Sequence, residues 1–171
     1  LSQLMQHGDL RPGEASQIPL LLHCSNDAER IGDHTVPIRR ILGDLEDQGR
    51  RFSAKATAEL DALHEKLREL AEAVILTLEK NTPENVERAK ILRREMVEAL
   101  NASEREHLSR INQGLCVPQV GIIYLELLEE FHKIGRHLSN IAERAESFYE
   151  KLEKRGKIAM DLNGGETQSF E

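Results

Sequence analysis

Apolar residues recur every three or four positions along most of the chain, which is the spacing of one face of an α-helix. The clearest stripe lies between positions 54 and 80. Its members are Leu60, Leu63, Leu67, Leu70, Val74 and Leu78. No segment alternates apolar and polar residues for long enough to form a half-buried strand. The pattern therefore predicts an all-α protein.

Capping and helix-breaking residues divide this pattern into four long helices. The first is predicted at 17–49 and the second at 54–80. The third should begin at Pro83, which suits a first helical position, and end before Gly114. The fourth should begin near Pro118. Because the connections are short, neighbouring helices should run antiparallel, as in an up-and-down helical bundle.

The expected helical domain spans residues 1–153, followed by a polar tail at 154–171 that we expect to be disordered. Residues 1–6 look like the end of a further helix, and a run rich in helix breakers follows at 7–16. The chain begins with leucine instead of methionine, and we expect it to be a piece of a longer protein.

Composition excludes several functional classes. The net charge of −7 over 171 residues argues against a nucleic-acid-binding surface, which needs clustered Lys and Arg. The longest apolar run, "IPLLL", is far shorter than the roughly 20 residues of a membrane span, so no direct membrane insertion is expected. The two cysteines, Cys24 and Cys116, have no metal-binding spacing and are expected to be buried free thiols.

A short motif occurs twice, at 28–38 and 131–141, an offset of 103 positions. A helix-interior glycine costs about 1 kcal/mol relative to alanine, yet both copies contain one. The repeat therefore predicts a notch at Gly32 and Gly135 where a neighbouring backbone comes close. The identities are Ile31, Gly32, His34 and Ile38 in the first copy, and Ile134, Gly135, His137 and Ile141 in the second.

The stretch "NDAERIGDH" resembles the E-R-I-G-D signature of the PhoU-like family of helical phosphate-signalling proteins. The stretch "CVPQVGIIYLELLEEFHKIGRHLSNIAERAESF" is similar to a second, diverged signature helix, as in the C-terminal PhoU-like domain of bacterial sodium/phosphate cotransporters. The resemblance implies two three-helix bundles, each with a signature on its third helix. The first predicted helix would then end an incomplete first bundle, and the other three would form the complete second bundle.

The resemblance also implies a function and partners. It points to a non-catalytic regulatory domain at the cytoplasmic face of the bacterial inner membrane, which modulates phosphate uptake by contacting the membrane part of a phosphate transporter. A stand-alone adaptor of a phosphate-import ATPase or sensor kinase is an alternative. Because the first bundle would be incomplete, we expect a homodimer through the uncovered face of the first helix. That face carries Leu21, Leu22, Ile31, Ile38 and Leu42.

Three residues of the first motif are candidate metal ligands. Glu29 and Asp33 share one helix face, and Asn26 lies one turn earlier. Oxygen ligands at this spacing can bind Fe, Mn, Zn or Mg, and the signature acids bind metal in some members of the family it resembles. Pro37 has no N–H, so it would free the carbonyl of Asp33 beside them and kink the helix. An ordinary salt bridge to Arg30 is the alternative.

The second motif departs from the signature. His132 and Arg136 stand where the resemblance would place Glu and Asp. Because cations near such a site would repel a metal ion, we expect an ion-pair network of Arg94, Glu98, Glu129 and Arg136.

Two Glu-x-x-His pairs raise a third possibility, a diiron-carboxylate oxidase in a four-helix bundle. The pairs are Glu104–His107 and Glu129–His132. A chain rich in Glu contains such pairs by chance, and the diiron pattern places them on alternate helices instead of neighbouring ones. Surface histidines are therefore the favoured interpretation.

Overall fold

The structure is a computed structural model that describes the backbone of residues 18–163 and the side chains through Glu150, together with that of Glu153. Four helices occupy this range: α1 (Ile18–Asp47), α2 (Ala54–Glu79), α3 (Pro83–Asn112) and α4 (Pro118–Asn163). No strand occurs between 18 and 163. The prediction of an all-α protein with four long helices is confirmed.

Local sequence signals explain where most helices begin and end. Ser53 caps α2 and Thr82 caps α3, since each side chain accepts the backbone N–H three residues further on. Gly49 and Gly114 follow α1 and α3 with φ of 63° and 68°, a left-handed conformation that glycine adopts without steric cost. These predicted boundaries agree with the structure to within about two residues.

The fourth helix is longer than the sequence predicted. It continues to Asn163, whereas the helical domain was expected to end at 153 and a disordered tail to follow. The segment "EKLEKRGKIAMDL" contains many strong helix formers, which accounts for the extension. The expectations for residues 1–6 and for 164–171 lie outside the described residues.

Successive helices run antiparallel. The side-chain bonds between neighbouring helices occur in opposite sequence order on the two partners, which is the signature of antiparallel packing. They join Glu59 to Arg110 and Lys66 to Glu95 between α2 and α3, and Lys90 to Glu146 and Arg93 to Glu143 between α3 and α4. The prediction of an antiparallel helical bundle is therefore confirmed.

Helices α2, α3 and α4 enclose the main core, while α1 packs chiefly against α4. The largest fully buried apolar side chains are Leu63, Leu70, Val74, Met96 and Tyr124, all at 2% exposure or less. Between positions 18 and 163, no helix has an apolar stretch long enough to cross a membrane. The first helix is thus an outer layer held by one face.

An apolar groove of about 630 Å³ lies between α1 and α2, with α4 as its floor. Ile31, Ile38 and Leu42 contribute the α1 wall, as part of the face that the sequence predicted to be uncovered. Leu21 and Leu22, from the same predicted face, are 52% and 47% exposed. Apolar surface on α1 is therefore available for contact with another protein surface.

The glycine notch is not found. A Cβ on Gly32 would meet no atom within 4 Å, and on Gly135 it would lie 3.8 Å from side-chain atoms of Leu67 and Met96, which is ordinary contact. The prediction of a closely approaching backbone is wrong because Gly32 lies on the solvent side of α1. The repeat does place Gly135 in a buried position of α4.

Replacing Gly32 and replacing Gly49 with alanine should change the free energy of unfolding in opposite directions. Gly32→Ala should raise the free energy of unfolding by about 0.5–1 kcal/mol, because alanine is the better helix former and has room. Gly49→Ala is the matched control and should lower it by about 1 kcal/mol, because its φ of 63° strains any residue with a Cβ. Urea denaturation of both variants measures the two changes. Destabilisation by Gly32→Ala would show that a neighbour does cover this position.

Candidate functional site

The three predicted metal ligands lie on the exposed side of α1. Asn26 and Glu29 face solvent, and the Asp33 side chain is 60% exposed and 3.7 Å from the Arg30 guanidinium. Within 18–163, no group of three or more His, Cys, Asp or Glu side chains is arranged to hold a metal ion. The helix continues through Pro37 without interruption. Metal binding by these residues stays a prediction.

The acid that α1 buries is Asp27, only 3% exposed, which faces α4. Its Oδ1 accepts hydrogen bonds from Nδ1 of His137 at 2.8 Å and from the amide of Asn140 at 3.3 Å. Its Oδ2 pairs with the Arg144 guanidinium. One cation and two neutral donors thus satisfy a buried carboxylate, which would otherwise be costly to desolvate.

A second His–carboxylate pair lies further along the same helix contact. Nδ1 of His34 on α1 lies 2.8 Å from Oε2 of Glu130 on α4. Glu130 also accepts a hydrogen bond of 2.9 Å from the Lys133 ammonium. The side chains of His34 and Glu130 are 21% and 12% exposed, so this pair is also largely removed from water.

The two pairs are equivalents under the sequence repeat. The offset of 103 positions turns Asp27 into Glu130 and His34 into His137. The imidazole rings of His34 and His137 stack at a centroid distance of 5.5 Å and an angle of 25°. The Asp27–His137 bond therefore maps onto the His34–Glu130 bond about a local two-fold axis that passes between the stacked rings. We call these four residues the seam cluster.

The geometry fixes the tautomer of both histidines. A carboxylate only accepts hydrogen bonds, so Nδ1 of His34 and Nδ1 of His137 must each donate. In the neutral form, Nε2 of each ring then keeps its lone pair. Asp27 and Glu130 are already paired with Arg144 and Lys133, so the cluster is balanced when both rings are neutral.

The surroundings of the seam cluster lower the pKa values of His137 and Glu130. Burial lowers the pKa of His137, and the nearby charge of Arg136 lowers it further. Burial by itself would raise the pKa of Glu130, but hydrogen bonds from Lys133 and His34 outweigh burial and lower this pKa below its usual range. Both shifts favour a neutral His137 beside an ionised Glu130 near neutral pH.

Stability should therefore fall as the solution is acidified below about pH 6.5. A histidine in the unfolded chain titrates near that value. Because the folded pKa of His137 is lower, the unfolded state binds more protons in this window, so acid favours unfolding. Urea denaturation between about pH 7.5 and 5.5 measures the slope. His137→Gln should flatten the slope, whereas the exposed His64→Gln should leave it unchanged, and an unaltered slope in the former would contradict this explanation.

A second buried polar cluster joins α2, α3 and α4. Arg110 donates two hydrogen bonds to Glu59, at 2.7 and 2.6 Å, and the Tyr124 hydroxyl donates to the same carboxylate at 2.8 Å. Nε2 of His107 donates to the Gly121 carbonyl at 3.1 Å, while Nδ1 accepts from Arg110 at 3.3 Å. Burial lowers the pKa of His107. This cluster is fully satisfied internally and is a structural element of the three-helix core.

The structure does not bring the two Glu-x-x-His pairs together as a diiron centre would require. His107 is 2% exposed, and its ring nitrogens are already hydrogen-bonded to Gly121 and Arg110. Glu104, Glu129 and His132 face solvent. The favoured interpretation as surface histidines is thus right for His132 and wrong for His107, because the burial of a single helical position depends on the neighbouring helix.

The predicted ion-pair network around the second motif is also different. Arg94 pairs with Glu87 at 3.6 Å and Glu129 with Lys133 at 3.7 Å. The sequence prediction of pairing across α3 and α4 at these positions is wrong, because Arg94 and Glu129 each find a partner on their own helix, and the described residues show no ion pair of Glu98 or Arg136.

Both cysteines are free thiols, as predicted, but they differ in burial. Cys24 is 9% exposed against the core, and burial raises the pKa of its thiol. Cys116 is half-buried in the loop before α4. Burial thus disfavours the thiolate form of Cys24.

Sequence reasoning missed Asp27 and Glu130. The signal was present one position before the aligned copies, where the offset of 103 pairs an aspartate with a glutamate. A comparison of identical residues does not detect this acid–acid pair, so the exposed acids of the motif became the predicted site residues instead.

Comparison with known proteins adds no assignment: no family model, curated protein or solved structure matches the chain.

Proposed function

We propose that this chain is a non-catalytic, PhoU-like regulatory domain of a sodium/phosphate cotransporter, which modulates phosphate uptake by contacting the transporter's membrane part at the cytoplasmic face. The observation that carries the proposal is the seam cluster. Two helices that share a signature-like motif meet about a local two-fold axis, with equivalent His–carboxylate bonds of 2.8 Å. Such equivalence is expected when the two helices descend from one duplicated bundle.

The arrangement of the helices supports the same proposal. Helices α2, α3 and α4 enclose a core of their own, whereas α1 contacts chiefly α4 and presents an apolar groove to one side. This arrangement is expected if α1 is the last helix of a first bundle and packs against α4, the last helix of a second bundle. The groove would then be covered by the parts of the first bundle that precede α1.

Sodium-driven uptake of radiolabelled phosphate by the full-length gene product in liposomes tests the proposal. Asp27→Asn combined with Glu130→Gln weakens both seam bonds and should change the uptake rate. Glu79→Gln combined with Glu98→Gln removes the same charge from exposed positions of α2 and α3 and should not. A gene product without membrane spans would contradict the cotransporter assignment. An uptake rate that is the same in the seam variant as in the parent protein would also contradict it. Copurification with a phosphate-import ATPase or sensor kinase would instead support the adaptor.

Self-association of this chain is a further expected property. Leu21 and Leu22 are about half exposed, and Leu42 is 43% exposed beside the groove. Burying this surface in a two-fold homodimer would stabilise the pair through the hydrophobic effect. Sedimentation velocity should show a dimer at high protein concentration, and Leu22→Glu should shift it to monomer. A parent chain that remains monomeric would contradict this expectation.

A further inference from the structure

A small cavity of about 150 Å³ opens between α3 and α4 at the level of Gly135. Leu70, Met96 and Leu100 form its apolar base. The space exists because the wall on α4 consists of Gly135 and Ser139, which have little or no side chain. It is large enough for an ion of a few heavy atoms.

The polar lining of this cavity is cationic. It consists of Arg93, His132, Arg136 and Ser139, and no carboxylate is among the lining residues. This is unusual on a chain with a net charge of −7. A concave surface that gathers two guanidinium groups and an imidazole favours a negatively charged ligand.

The donors around the cavity are free to bind. Among the described residues, no carboxylate lies within 4.0 Å of the Arg136 guanidinium, and His132 likewise forms no ion pair. Arg93 uses one nitrogen for Glu143 and keeps other N–H groups. The Ser139 hydroxyl donates to the Gly135 carbonyl at 2.8 Å, so the donors for an anion are the two arginines and His132. Arg136 is thus the strongest candidate for direct contact with an anion.

The sequence repeat adds a second, independent observation. His132 and Arg136 are the repeat equivalents of Glu29 and Asp33. On α1 the acidic pair faces open solvent, whereas on α4 the basic pair lies at a cavity closed on its other side by α3. The acidic pair of α1 therefore has a basic pair as its equivalent on α4, and only the basic pair has a concave surface beside it.

We propose that this cavity binds a small oxoanion, such as inorganic phosphate or sulfate, between Arg93, His132 and Arg136. The planar guanidinium of Arg136 can donate two parallel hydrogen bonds to a tetrahedral oxoanion. The apolar base limits the site to a small ligand and weakens competition from water. The cavity would bind such an anion whether or not the chain is part of a transporter.

Titration of the folded chain with inorganic phosphate, and separately with sulfate, tests the proposal by amide NMR at constant ionic strength. Saturable shifts are expected at Arg93, His132 and Arg136. Arg136→Gln should weaken binding about fivefold or more, because it removes a charge-assisted donor. Arg94→Gln is the matched control, since it removes the same charge from the same surface but does not line the cavity.

Glu143→Gln gives a change in the opposite direction. It releases Arg93 from its ion pair and should tighten anion binding. The proposal is overturned if neither anion gives saturable shifts, or if Arg94→Gln weakens binding as much as Arg136→Gln does. The second outcome would mean that only the general surface potential attracts the anion. The site is supported if Arg136→Gln binds either anion more weakly than the parent chain does while Arg94→Gln does not.

Discussion

Replacing Asp27 with alanine should lower the free energy of unfolding by about 3 kcal/mol, the size of effect expected when one partner of a buried ion pair is removed. Asp27 is 3% exposed and satisfies His137, Asn140 and Arg144 at once. Its loss leaves three donors at the contact between α1 and α4 without their acceptor. Urea denaturation followed by circular dichroism measures the change.

Asp33→Ala is the matched control for this prediction. It lies on the same helix, but its side chain is 60% exposed and its pair with Arg30 spans 3.7 Å, so the change should stay within about 0.5 kcal/mol. Equal effects of the two substitutions would mean that α1 does not dock through Asp27. A large effect of Asp33→Ala alone would place the opposite face of α1 against the bundle.

A second large effect is expected in the three-helix core. Leu63 on α2 is 2% exposed, and Leu63→Ala should cost about 3 kcal/mol through lost apolar burial and the cavity it leaves. Ile75→Ala on the same helix should cost less than about 1 kcal/mol, because Ile75 is 53% exposed. Chemical denaturation of the two variants tests the orientation of α2, and the reverse order of effects would contradict it.

Helix positions could be predicted well from the sequence because their signals are local. The step of three and four between Leu60 and Leu78, and the caps at Ser53 and Thr82, depend only on residues within one helix. Gly114 marked one helix end, since the third helix was predicted to end before it. Each of these features needs no knowledge of the rest of the fold.

The orientation of α1 could not be predicted in the same way. Its buried face is set by contact with α4, and that contact turns Asp27 and His34 inward while Glu29, Gly32 and Asp33 remain at the surface. Asp27 and His34 are polar residues on the inward side of the first helix, so a pattern of apolar positions does not reveal them. A helix with one partner and an open groove has no complete apolar stripe to read.

The contacts of the buried histidines could not be predicted for the same reason, because they depend on a neighbouring helix. His34, His107 and His137 each make a specific hydrogen bond with another helix or the loop end of α4, but single helical patterns cannot assign such partners. The repeat came nearest, because it aligned His34 with His137. Extending the alignment by acid type as well as by identity would have found the seam cluster.

The tautomers of His34 and His137 provide the most direct test of whether two repeat-related His–carboxylate pairs join α1 to α4. Long-range ¹H–¹⁵N correlation NMR at about pH 7.5 distinguishes a proton on Nδ1 from one on Nε2. A proton on Nδ1 of each ring is predicted, because this nitrogen lies 2.8 Å from a carboxylate oxygen in each pair. Protonation of both rings on Nε2 would contradict the seam cluster.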